Sequence, residues 1–324
     1  MRPRPTKLFV VLLTALAALL AMTGCAITEG EPLGSNPSSS ATSGSSAAAF
    51  PRDVVIPAQG EFIPEQTIHL EARPTSIVVL SPSLTETVYG VGAGEQVKAV
   101  DKLSNYPAEA KTSELDAFAP NLEAIVGMEP DLVLVSNDQD GIVGKLTELE
   151  IPVAVLGAPS DLAGAYTQIE QVGELTGNDE AGTELAAEVK SRVEAAVAEA
   201  GSETERTYYW ELDPTLYSLT STTFIGSVLG EFGLVSIADQ APDAATTGGY
   251  PQLSNEFIID ADPNVIFAPG GDAEQIRQRP GWDVTRAVKD EAGIVVLDND
   301  IASRWGPRLA EFAEQIGAGV GKLP

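Results

Sequence analysis

PNLEAIVGMEPDLVLV, residues 120–135, has a near-copy further along the same chain in PQLSNEFIIDADPNVIFA, residues 251–268. Aligned on Pro130 and Pro263, which stand 133 positions apart, each stretch carries a Glu seven residues upstream, Glu123 and Glu256. An Ile follows two positions later in each, Ile125 and Ile258, and an acidic residue, Glu129 or Asp262, stands just before the proline. Asn121 and Ser254 are of the types that cap helix N-termini, which puts each Glu at the second helical position. A carboxylate there faces the positive end of the helix dipole and stabilises by ~0.3–1 kcal/mol, a sufficient structural reason for either Glu alone. The residue before a proline avoids the α region, so both helices end there. The apolar runs 132–135 and 265–268 then read as buried strands. One helix–strand unit used twice predicts two equivalent α/β lobes.

The rest of the chain extends this alternation. SIVVL (76–80) and VKAV (97–100) read as strands around a short helix, with Ser83 as its cap and Gly90, Gly92 and Gly94 closing it. Residues 120–128 and 144–149 read as helices, DLVLV (131–135) and PVAVL (152–156) as strands. Residues 161–200 differ in kind, with apolar side chains at three- and four-residue spacing among Ala and Glu. They predict two helices broken around Gly177 and Asn178. Strands then return at TYYWEL (207–212), NVIFA (264–268) and GIVVL (293–297), with helices at 224–232, 253–261 and 307–319. Short connections between alternating elements mean parallel βα units. The fold class is therefore α/β, two Rossmann-like α/β lobes joined by a long interdomain helix. The divisions expected are an N-terminal lobe at 73–160, connecting helices at 161–203 and a C-terminal lobe at 204–324. Residues 51–72 read as an irregular extended N-terminal extension, and Trp210 as core.

The first residues set the compartment. Arg2, Arg4 and Lys7 precede residues 8–22, an apolar run with Thr14 as its sole polar break. That run is short of the ~20 residues a membrane span needs, and it suits a signal peptide over 1–24. The chain's one cysteine, Cys25, follows in TGC; with no second cysteine it has no internal disulfide to form. Its position resembles the lipobox of bacterial lipoproteins, which implies lipidation and a lipid anchor to the cell membrane. Residues 25–50 are mostly Ser, Ala, Gly and Pro, a flexible tether too polar to pack. At 44% apolar and 20% charged residues the chain has a folding composition, and its net charge of −28 argues against nucleic-acid partners.

Several chemistries lack their residues. A serine hydrolase needs G-x-S-x-G after a strand and a later histidine, yet the sole histidine, His69, precedes every candidate serine in the lobes. Dinucleotide binding fails at GVGAGEQ, where Glu95 follows in place of a further glycine. A direct zinc or manganese carrier wants several imidazoles, so no protein-held metal and no cofactor are expected. The expectation is a binding protein and not an enzyme.

RPTSIVVLSPSLTETVYGVGAGEQVKAV, YPAEA, the two repeated stretches, RPGWDVTRAVKD and SRWGPRL together carry a family likeness. Over roughly residues 73–323 the chain resembles the substrate-binding lipoproteins of ABC importers that capture iron–siderophore complexes, haem and cobalamin, and its motifs are closest to those of the cobalamin-binding members. The resemblance implies a ligand cleft between the lobes, limited closure, and an ABC permease dimer with ATPase subunits as partner. It implies that Glu123 and Glu256 dock on that permease. It places ligand contacts at Ser81, Pro82, Ser83, Tyr106 and Phe118 in the first lobe. In the second it places them at Tyr250, Asp300, Arg304 and Trp305. Ala117 occupies the place of a further cleft aromatic of the cobalamin binders, with Phe118 beside it. The cargo implied is a metal chelate, a corrinoid or ferric siderophore; a haem-binding member and an anchored sensor or adhesion module are the alternatives. Tyr250 also fits a plain loop aromatic, and Asp300 with Arg304 a surface ion pair.

Overall fold

The computed structural model describes residues 49–60, 62–201 and 206–323. The expected signal peptide, Cys25 and nearly all of the 25–50 tether lie outside the described residues.

Residues 51–72 are not irregular. Strands β1 (Arg52–Ile56) and β2 (Gln66–Leu70) pair antiparallel, with Val54 opposite Ile68. Val54, Ile56, Ile68 and Leu70 alternate inward while Asp53, Val55, Thr67 and His69 face out. That two-residue alternation is the signal of a half-buried hairpin, and it was present in the sequence.

The first lobe runs β3 (Ile77–Leu80), α1 (Pro82–Gly90), β4 (Val97–Val100), α2 (Leu122–Val126), β5 (Leu132–Val135), α3 (Ile142–Glu148) and β6 (Val153–Val155). Its sheet is parallel in the order β4-β3-β5-β6, and every side chain of β3 and β5 is buried. Continuous β-branched runs suit this because helices cover both faces of a parallel sheet. The cap of α1 is Ser81 rather than Ser83: its hydroxyl accepts from Leu84 N at 3.5 Å, and Pro82 takes the first turn. Proline is favoured there because its missing N–H would have been unpaired anyway.

Two helices lead out, α4 (Leu162–Thr176) and α5 (Asp179–Ala200), turned by Gly177 in the left-handed region at φ 71°. They pack backbone to backbone: a Cβ on Gly173 would lie 2.9 Å from the Gly182 Cα. The second lobe runs β7 (Arg206–Trp210), α6 (Phe224–Glu231), β8 (Leu234–Ser236), α7 (Asn255–Ala261), β9 (Val265–Pro269), α8 (Ala273–Arg277), α9 (Arg286–Lys289), β10 (Ile294–Leu297), α10 (Asn299–Ala302) and α11 (Leu309–Val320). The three-residue strand β8 is absent from the sequence reading. It completes a parallel sheet ordered β10-β9-β7-β8. Counted within each lobe, both sheets therefore have the order second-first-third-fourth.

One buried apolar cluster joins the lobes. It takes Ile77 and Leu134 from the first sheet, Trp210 and Phe267 from the second, Val172 and Val189 from α4 and α5, and Phe312 from α11. Trp210 is 1% exposed and packs against Phe267 and Phe312, as core. The outer face of each sheet has its own cluster, with Ile125 in the first and Ile258 in the second.

Candidate functional site

The repeated units occupy equivalent places, each a helix leading into the third strand of its lobe. Asn121 Oδ1 accepts from Ala124 N at 3.0 Å, and Ser254 Oγ from Phe257 N at 3.1 Å. Glu123 and Glu256 are the second residues of their helices and both are exposed. Among the described residues neither carboxylate has a hydrogen-bond or ion-pair partner. The pre-proline residues leave the α region as expected, into left-handed backbone: Glu129 has φ 51° and Asp262 φ 45°.

In open parallel sheets, ligands sit outside the carboxyl ends of the strands. Among the segments that emerge there are Ser81 after β3, residues 101–121 after β4, 211–218 after β7, 237–254 after β8 and 298–304 after β10. The structure brings the first-lobe loop and the last segment into contact. Asn105 Nδ2 donates to Asp300 Oδ2 at 2.8 Å, and Arg304 Nη2 donates to Leu103 O at 3.3 Å. Within the second lobe, Leu212 N donates to Tyr217 O, Tyr217 bridges Gln252, and Ser218 N donates to Pro251 O. Those bonds set Leu212 and Tyr217 beside the loop of Tyr250.

The expected contact residues divide by exposure. Phe118 is 68% exposed, Tyr106 44% and Tyr250 43%, and Asp300 keeps part of its carboxylate in solvent. Pro82 and Trp305 are half-buried. Ser81, Ser83 and Arg304 are buried: Ser81 caps α1, and Ser83 Oγ accepts from Trp305 N at 3.3 Å. Arg304 is 8% exposed, and Asp300 is not its main partner. Its Nη1 donates to Glu86 Oε1 at 2.8 Å, while Asp300 Oδ1 lies 3.2 Å from Nη2. The surface pair allowed for by the sequence is thus one edge of a buried cluster.

Glu86 of α1 centres that cluster. It also accepts two bonds from Arg308, at 2.9 and 2.6 Å, which hold that guanidinium's pKa above its ordinary value. Arg308 in turn lies 4.3 Å over the ring of Tyr106. Asp101, fully buried behind, accepts from Leu103 N and Ser104 Oγ; burial nonetheless pushes its carboxyl above the usual range. Gly306 lets the last segment press on α1, since a Cβ there would lie 2.8 Å from Ser83 O. Sequence reasoning missed Glu86, Leu103, Asn105, Leu212 and Tyr217. Only the apolar exposure of Leu103, Leu212 and Tyr217 distinguishes them, and exposure is decided by the fold.

No group of three or more His, Cys, Asp or Glu among the described residues is placed to hold a metal, and no described helix is long and apolar enough to cross a membrane. His69 sits between Asp53, at 2.6 Å, and Glu71, at 3.2 Å. Those bonds raise its pKa.

Two parallel α/β lobes, a pair of linking helices and loops meeting at the strand ends define a two-lobed solute-binding fold. The chain belongs to the Periplasmic binding protein family, whose sequence profile matches residues 77–300. It is 28% identical over 267 residues to the ABC transporter substrate-binding lipoprotein YvrC of Bacillus subtilis, a match covering 79% of this chain and 82% of that one. It is 34% identical over 208 residues to the Cobalamin-binding protein of Halobacterium salinarum, covering 61% of this chain and 55% of its relative. The crystal structure of a possible iron-binding (periplasmic solute-binding) protein from Staphylococcus epidermidis superposes with a TM-score of 0.66 at 24% identity. That superposition covers 77% of this chain and 99% of the other, and it shows the fold.

Proposed function

We propose that this protein is the extracytoplasmic substrate-binding component of an ABC importer and that its cargo is a corrinoid or a comparably large, weakly charged metal chelate. One observation carries the ligand class. Leu103, Tyr106 and Phe118 on first-lobe loops and Leu212, Tyr217 and Tyr250 on second-lobe loops are all exposed large apolar side chains at the carboxyl ends of the strands. Such side chains are normally scattered singly over a soluble protein, and their grouping at one end marks a binding surface. The polar groups between them, the Asn105 amide and the Asp300 carboxylate, suit a ligand with an apolar body and an amide rim. Arg304 and Arg308 are already engaged by Glu86, and Lys102 and Arg279 by Asp116 and Glu211, which disfavours a strongly anionic chelate.

In this reading Cys25 carries a lipid anchor and residues 25–50 tether the body outside the membrane. Glu123 and Glu256 contact a permease dimer with its ATPase subunits. Cargo is bound and passed on, with no turnover of its own. The lobes correspond to 73–160 and 204–324. Titration of the purified protein with cyanocobalamin, haemin and several ferric siderophores, followed by tryptophan fluorescence, tests it. Submicromolar binding of cyanocobalamin is expected; absence of micromolar or tighter binding by every compound defeats the chelate reading.

A further inference from the structure

The contacts that fix the cleft rims converge on one carboxylate buried away from them. Glu86 has a side chain 1% exposed, and it binds Arg304 and Arg308, whose side chains are 6% and 12% exposed. A buried ion cluster gives up hydration that its Coulomb energy only partly restores, so it is weak support for stability. Its geometric consequences are larger. Arg304 carries the Leu103 carbonyl and one oxygen of Asp300, and Asp300 carries Asn105. Arg308 carries the ring of Tyr106. Glu86 and the Leu103–Tyr106 rim belong to the first half of the chain, the two arginines and Asp300 to its end.

We propose that Glu86 is a positioning residue for ligand capture: through Arg304 and Arg308 it sets the spacing and orientation of the two cleft rims before ligand arrives. This rests on the cleft being the binding site. Glu86 does not meet the ligand. It removes the cost of ordering two loops from opposite lobes at the moment of binding, and preorganisation of that kind raises affinity without adding a contact.

The test compares Glu86→Gln, which keeps the shape and one acceptor, with Leu146→Ala, a cavity variant in the outer core of the first lobe. Cyanocobalamin is the probe. Glu86→Gln should weaken binding about tenfold, chiefly through a slower association rate, while Leu146→Ala keeps wild-type affinity despite a lower melting temperature. Wild-type affinity in Glu86→Gln overturns the proposal, as does an equal loss in Leu146→Ala. Hydrogen exchange on the ligand-free protein reads the same claim independently of any ligand. Residues 101–107 and 299–308 should lose protection in Glu86→Gln and retain it in Leu146→Ala. If wild type binds no chelate, the functional reading fails, yet the exchange data still decide whether Glu86 orders the rims; unchanged protection there defeats it.

Discussion

The two lobes share a strand order and the capped glutamate–proline unit, but they spend their buried glutamates differently. Glu211, just past β7, binds Arg279 of its own lobe at 2.8 Å, with Arg279 stacked 4.7 Å over Trp282. Glu86, in α1, binds two arginines from the far end of the chain. The first pairing completes a lobe, whereas the second joins two. What is repeated between the lobes is scaffold, and what departs from the repeat is the junction where the candidate ligand contacts gather.

Equivalent scaffold positions should therefore behave alike. Ile125 and Ile258 occupy the same place in the two units, and both are 0% exposed. Ile125→Ala and Ile258→Ala should each destabilise by about 2–5 kcal/mol in chemical denaturation, the range for truncating a packed aliphatic side chain. A difference between them beyond that range would break the equivalence of the lobes.

The repeated glutamates are the next step down in stability. Replacing Glu123 and Glu256 together by Ala should cost ~0.3–1 kcal/mol per site, the worth of a carboxylate in a first helical turn. Ligand affinity should stay at wild type while uptake in cells is lost. Normal uptake in the double variant would leave the pair with its helix-terminal role alone.

The smallest effect is expected outside both lobes, in the β1–β2 hairpin. Hydrogen bonds from Asp53 and Glu71 raise the folded pKa of His69 above the unfolded value of about 6.5. Protonation is then favoured in the folded state. The stabilisation is fully present below the unfolded pKa and fades as pH rises through the folded one. Melting temperatures of wild type and His69→Gln should diverge slightly below about pH 6.5 and converge at alkaline pH. A gap that widens with rising pH would contradict the assigned contacts.

Much of the scaffold was legible because its signals are local. IVVL at 77–80 and LVLV at 132–135 are buried whole, so continuous apolar runs marked them. Asn121 and Ser254 cap their helices because a side-chain oxygen three residues ahead of an amide N–H suffices. Local rules also account for the misses. SPS offers two serines as caps, and Pro82 in the first turn settles on Ser81. LVS at 234–236 is too short to show a period. The hairpin's alternation was readable but interrupted by the nine residues, 57–65, between its strands.

The candidate site was legible only where it coincides with those local signals. The helix-start positions of Glu123 and Glu256 follow from their caps, whereas their docking role and the contacts at Tyr106, Phe118 and Tyr250 came only with the family resemblance. Asp300 and Arg304 stand four apart in sequence, yet they do not form a simple pair. Arg304 instead turns inward to Glu86, 218 positions away. No spacing rule reaches that distance.

The sequence by itself determined two α/β lobes, the helices between them and the paired glutamates, because backbone preference, capping and apolar periodicity act over a few residues. The tertiary structure alone decided which charged groups are buried and which aromatics stand exposed around the cleft. Burial and ion pairing depend on which distant segments meet, and here Glu86 meets Arg304 and Arg308 only when α1 and the end of the chain close on each other.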